Sequence, residues 1–187
     1  MVDGNTTVCG RAVITGEAKV SGSPFIHGSA HIFGSATIGG QSNVGDTAIV
    51  HGNATIDMYT IVKNGAEVCG AALVTGFTVV GDTASVGGSL ILAGNANVHG
   101  GAVLRGKGIV RGENDYMYIG GLHHPVTLQK NGLATIGCTT RTIKEWLSLP
   151  LEDLLRMSEM PRPKFLELKR IITPILEQWS INNVKEV

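Results

Sequence analysis

Aromatic side chains are scarce in this chain, and so is charge. Phe, Trp and Tyr make up 5% of residues and Asp, Glu, Lys and Arg 16%, with acids and bases balanced to a formal net charge of zero. A nucleic-acid binder held by bulk positive charge is therefore not expected, and an acidic nucleic-acid mimic is equally unsupported. Cysteine occurs three times, as Cys9, Cys69 and Cys138. With no secretory leader and no apolar run of membrane-spanning length, the expected setting is reducing and cytoplasmic, without a membrane partner. No P-loop, dinucleotide fingerprint, zinc motif or nucleophile elbow is present, so those chemistries have no sequence support. Proline is nearly missing ahead of Gly112, where Pro24 stands alone; the other five prolines, both tryptophans and two of the three tyrosines follow Gly112. That break in composition divides the chain into residues 1–112 and 113–187.

What the first part has in abundance is glycine and branched aliphatic residues, in strict order. Every sixth residue from Val8 to Val110 is Val, Ile or Leu, 18 positions without exception or insertion. Two residues before each lies a small residue, usually Ala, as in Ala30, Ala48, Ala66 and Ala84. Two residues after most lies Gly, as in Gly28, Gly34, Gly52 and Gly70. A short fixed period of this kind is the signature of a parallel β-solenoid. Within each unit the even-numbered positions point inward, where Ala lets the walls approach and Val or Ile fills the interior. Gly supplies the backbone freedom for a corner.

The repeat, seen in Ala30-His31-Ile32-Phe33-Gly34 and Ala54-Thr55-Ile56, resembles that of hexapeptide-repeat left-handed β-helix proteins of bacteria and their phages, which are of transferase or acyltransferase type. The resemblance implies a mainly β fold, a single-stranded left-handed parallel β-helix in which three hexads make one triangular coil. About six coils fit in residues 1–112. The corner substitutions agree with it. Asp46, Asn64 and Asp82 replace Gly at every third corner, and Asn and Asp tolerate the left-handed backbone best after Gly. A two-sided roll, with two hexads to the turn, would place Asp46 and Asn64 on opposite sides. Met58 is the odd corner, and local irregularity is expected there. The run Thr135-Ile136-Gly137-Cys138-Thr139-Thr140-Arg141-Thr142-Ile143-Lys144-Glu145-Trp146-Leu147 resembles the segment that follows the repeats in the same group.

Residues 113–187 read as a small β-strand plus α-helical module. Tyr116–Ile119, Val126–Gln129 and Leu133–Gly137 suit short strands, with Lys130-Asn131-Gly132 as a hairpin turn. Helices are expected over about 141–149, led by Thr140 or Thr142 with Glu145 in its first turn, over 151–160, and over 164–179. The last carries an apolar face that includes Phe165, Leu168, Ile172 and Leu176, and Pro174 is expected to kink it. Cys138 is expected to pack against the base of the first helix.

In acyltransferases of this fold the resemblance implies a catalytic His near a subunit interface, a loop inserted from one coil, and an acyl-CoA lying along the prism. This chain departs from that pattern, because its hexad register never slips and no coil carries a loop. Counted modulo 18, His51 and Cys69 share an outward column with Phe33, while Glu67 and His31 share the neighbouring one. A His–Cys pair beside a carboxylate can activate a thiol or bind a metal. The competing reading is that outward solenoid positions sample polar residues freely, and it carries more weight, so no metal ligand is assigned. His27 stacks above Cys9 on another face in the same way. His123-His124-Pro125 follows a Gly-Gly pair and reads as a turn, having no third ligand at matching spacing.

Outward apolar residues are more telling. Leu73, Ile91 and Ile109 stack on successive coils as an aliphatic ladder, which is expected to be covered by a neighbouring subunit or by the C-terminal helix through residues such as Phe165 and Ile172. A first coil that starts almost at Met1 has nothing to cap its strand edges, so end-to-end or side-by-side self-association is expected. The resemblance favours a trimer. The leading functional expectation is a non-enzymatic rigid solenoid that binds itself and another protein, encoded by a phage or mobile element and acting on a host factor, with no cofactor. The alternative is an acyltransferase of the hexapeptide class using acetyl-CoA or another acyl-CoA. Small-ligand binding at subunit clefts is a third possibility.

Overall fold

The hexad pattern folds as it reads. In the computed structural model, which describes residues 1–122, 124–150, 152 and 162–183, each aliphatic residue of the series ends a short strand, from β1 (Thr7–Val8) to β18 (Lys107–Val110). These 18 strands form three six-stranded parallel sheets, the walls of a left-handed β-helix of about six coils. The register steps by three hexads throughout: Val8 pairs with Ile26, Ile26 with Val44, Val44 with Val62, Val62 with Val80 and Val80 with Val98. From Ile26 to Leu104 every one of the inward aliphatics is fully buried. Adjacent coils repeat at roughly 4.8 Å, so the rod is about 29 Å long.

The corners are left-handed in backbone conformation. Asp46, Asn64 and Asp82 have φ of 56°, 57° and 55°, and their side chains stitch the coils together. The Asn64 backbone N–H donates to Asp46 Oδ2 at 3.0 Å, Asn64 Nδ2 donates to Asp82 Oδ1 at 3.2 Å, and the Gly100 N–H donates to Asp82 Oδ2 at 2.9 Å. Met58 turns its corner with φ 59° and no irregularity. Its N–H donates to Asp57 Oδ1 at 2.7 Å, and its O accepts from the Gln41 N–H at 2.7 Å, so the ladder runs on unbroken. Gly40 beneath it has no alternative, since a Cβ there would collide with the Met58 backbone.

Two departures from the repeat are absorbed locally. Thr60 and Thr78 occupy small-residue positions and are fully buried. The Thr60 hydroxyl donates to the Asp57 carbonyl at 2.7 Å and lies 3.2 Å from that of Thr78, which satisfies the hydroxyls inside the prism. Leu90, also fully buried, takes the place of an Ala in β15 (Ser89–Leu92), where it pairs with Gly108 of β18.

The last coil is closed by a four-stranded antiparallel sheet, β19 (Tyr116–Ile119), β20 (Val126–Gln129), β21 (Leu133–Ile136) and β22 (Thr139–Thr142). The first three match the expected strands to within a residue. The fourth was not expected, because Thr139–Thr142 read as the approach to a helix. The two faces of β20 do different work. Val126 and Leu128 join Ile136, Trp146, Leu168, Ile172, Leu176 and Trp179 in a second core under helices α1 (Ile143–Ser148) and α2 (Arg162–Asn183). Thr127 and Gln129 face the solenoid and bond the free edge of β17 (Val103–Leu104) in place of another coil. Thr127 Oγ1 accepts from the Val103 N–H at 3.0 Å and Gln129 Oε1 from the Arg105 N–H at 3.2 Å, while the Thr135 hydroxyl donates to the Val103 carbonyl at 3.2 Å.

Helix α1 opens with a capping box: Thr142 Oγ1 accepts from the Glu145 N–H, and the Glu145 carboxylate accepts from the Thr142 N–H. Cys138 is exposed in the β21–β22 turn and does not pack against the helix, since the turn at Gly137 (φ 61°) sends it outward. The longest helix extends beyond the expected range at both ends, with Pro174 inside it. Apart from Glu152, the expected helix over 151–160 lies outside the described residues, as do His123 and the Phe165 side chain. No described helix is long and apolar enough to cross a membrane.

Candidate functional site

One wall of the prism gathers the candidate residues. Its strands carry His31, Ile49, Glu67, Ser85 and Val103 outward, and the positions two residues further on carry Phe33, His51, Cys69, Gly87 and Arg105. Because the two columns stand side by side on stacked coils, a residue of one reaches diagonally to a residue of the other on the next coil. That diagonal joins His51 to Glu67, with Nε2 3.0 Å from Oε1. His51 is held from below by Phe33, whose ring lies parallel to it at a centroid distance of 4.9 Å.

The other carboxylate oxygen is held from above. The Ser85 hydroxyl donates to Glu67 Oε2 at 2.6 Å, and Arg105 Nη2 donates to the Ser85 oxygen at 2.8 Å while lying 3.8 Å from Oε2. Gly87 lets the guanidinium reach down: a Cβ at that position would stand 2.8 Å from Cys69 Sγ and 2.9 Å from Arg105 Nη1. The hydrogen bond from Ser85, and then that from His51, hold the Glu67 carboxyl below the usual Glu range against partial burial. Cys69 moves the other way. Burial raises its thiol, with Glu67 adding to the effect and Arg105 opposing it. A protonated thiol is a poor nucleophile, so the wall offers a fixed imidazole–carboxylate pair rather than an activated cysteine. His51, Glu67 and Cys69 are all half-buried, and their ligand-capable atoms lie within 4.8 Å of one another.

The three residues singled out in the sequence are thus neighbours. Ser85, Arg105 and Gly87 were not singled out, although they fall in the same two columns, one and two coils further on. The other pairing considered has different chemistry. His27 Nε2 lies 2.9 Å from Asn43 Oδ1 and its ring stacks on Phe25 at 4.6 Å, while Cys9 is exposed one coil below.

The aliphatic ladder lies on a different wall. Leu73, Ile91 and Ile109 are direct partners on three successive strands, the first two half-buried and Ile109 43% exposed. The described apolar residues of the C-terminal helix pack elsewhere. Its apolar face, Ile172 included, is buried against the sheet of its own module, where Ile172 is 7% exposed. Ile172 is therefore a core residue of the module rather than a surface contact.

Comparison with protein-family models, with curated proteins and with solved structures gave no match.

Proposed function

We propose that the chain is a rigid, non-enzymatic scaffold that assembles with copies of itself, a trimer being the expected form, and presents the assembled surface to a protein partner. The carrying observation is the ladder of Leu73, Ile91 and Ile109, three aliphatic side chains in direct register on a flat wall. Isolated surface aliphatics are ordinary, whereas aliphatics stacked over three coils make a contiguous strip suited to burial against an equivalent wall. The unbroken hexad register supports the same reading, because no coil extends a loop to enclose a substrate. Under this reading the protein works in the cytoplasm, on a host factor if a phage or mobile element encodes it.

A second reading, an acyl-CoA-dependent transferase, is favoured by one observation. Glu67 orients His51 at 3.0 Å, the arrangement a general base requires. Native mass spectrometry on untagged protein separates the two. A trimer without bound acyl-CoA, converted to monomer by Ile91→Glu with its far-ultraviolet dichroism intact, is the outcome the scaffold predicts. A wild-type monomer at high concentration overturns it. A trimer that retains a mass matching an acyl-CoA, lost in His51→Ala, moves the assignment to the transferase.

A further inference from the structure

We propose that His51 Nε2, Glu67 Oε1 and Cys69 Sγ form a binding site for a zinc-class transition-metal ion on the outer wall of the solenoid. This inference is independent of the scaffold reading. Each of the three side chains, one from one coil and two from the next, offers a ligand atom within 4.8 Å of the other two. Bond lengths of about 2.0–2.3 Å in tetrahedral array place ligand atoms roughly 3.4–3.6 Å apart. The His51–Glu67 edge is shorter than that, at 3.0 Å, so the ion would replace this hydrogen bond: the pair opens by about 0.4 Å, the imidazole turns its Nε2 lone pair to the ion, and the Cys69 side chain rotates toward it.

Nitrogen, oxygen and sulfur together suit a borderline ion such as Zn²⁺ and are ill suited to Ca²⁺ or Mg²⁺, which take oxygen. The surroundings are those of a supported site. Metal-binding carboxylates are commonly fixed by hydrogen bonds to their outer oxygen, and here Glu67 Oε2 accepts from Ser85 at 2.6 Å, which leaves Oε1 directed at His51. Phe33 fixes the plane of the imidazole by stacking on it. Gly87 leaves the space beside Cys69 to the Arg105 guanidinium rather than to a side chain of its own.

Counting Arg105, the ligated cluster carries one net positive charge. On ligation Cys69 releases its proton to solvent, and thiolate and carboxylate neutralise the dication. Arg105 keeps its place beside the outer carboxylate oxygen and Ser85. Three ligands from one chain leave a fourth tetrahedral position for water, the open arrangement of zinc sites that do chemistry.

The test uses the full-length protein titrated with Co²⁺ and, in competition, Zn²⁺. Expected is one saturable site per chain with a thiolate-to-cobalt charge-transfer absorption, displaced by Zn²⁺. Cys69→Ser should abolish the absorption while Cys9→Ser and Cys138→Ser leave it, and Ser85→Ala should weaken binding by roughly tenfold. His51→Ala and the more conservative His51→Asn should each lower affinity by at least about tenfold, with unchanged far-ultraviolet dichroism showing the fold intact. Absence of saturable binding overturns the proposal, as does binding whose absorption survives Cys69→Ser.

Discussion

Met58 holds a backbone conformation that L residues avoid, at a corner where 14 of the repeats have Gly. The left-handed region costs a side-chain-bearing residue about 1–2 kcal/mol, part of which a glycine gives back through greater freedom in the unfolded chain. Met58→Gly should therefore stabilise the protein by about 0.5–1 kcal/mol, raising the thermal midpoint by roughly 1–3 °C in scanning calorimetry. A lower midpoint would show that the half-exposed Met58 side chain makes a compensating contact. Asp46, Asn64 and Asp82 are different, because each exchanges hydrogen bonds with the coil above or below. Those three were legible from spacing alone, since Asx at every third corner has a backbone reason. The regularity at Met58 was not legible, because nothing in the side chain announces that its neighbours will hold it. The candidate site divides likewise. His51, Glu67 and Cys69 follow from arithmetic on the period. Ser85 and Arg105 obey the same arithmetic, but their roles depend on a long side chain folding across Gly87, which spacing does not encode.

At the scale of elements, the closing sheet replaces backbone hydrogen bonding with side chains. Val103 and Arg105 have N–H groups that a seventh coil would have bonded through its carbonyls, and Thr127 and Gln129 supply the oxygens instead. Thr127→Val keeps the shape and removes the acceptor, leaving a donor without its partner. Hydrogen exchange at the Val103 amide should accelerate by roughly tenfold or more, corresponding to about 1–3 kcal/mol for an unsatisfied group. The Ser85 amide one coil below, bonded to the Ala102 carbonyl at 2.9 Å, should be unaffected. Unchanged protection at Val103 would mean that the sheet shields the edge without bonding it. The strands of this module were readable from the alternation in Val126–Gln129 and Leu133–Ile136. Strand β22 was missed because Thr139–Thr142 has neither alternation nor a large aliphatic residue, and pairs only because β21 presents an edge. Periodicity also showed that the last helix has an apolar face but not which surface it seeks. Val126 and Leu128 meet it first, which leaves Leu73, Ile91 and Ile109 without that cover.

For the whole molecule, pairing only between neighbouring coils means that stability accumulates along the rod. Removing a complete coil should then be tolerated where a single hexad is not neutral. Deletion of residues 19–36 joins Ala18 to Thr37, the residue that pairs with Lys19, and restores every column above the junction. The shortened chain should fold with an unchanged dichroism spectrum and a lower thermal midpoint, and it should still bind Co²⁺, though more weakly, because His51, Glu67 and Cys69 lie beyond the cut while Phe33, which stacks on His51, is removed. Loss of the β signal would show that the coils are not interchangeable units. The same three-walled geometry gives the hexad count a second meaning. Each hexad advances the chain by one wall, about a third of a turn around the axis. The closing module is therefore carried round the rod by that step whenever a single hexad is gained or lost. Repeat number sets a compass bearing as well as a length: it fixes the direction in which the terminal module points relative to the aliphatic strip and to the wall that bears His51.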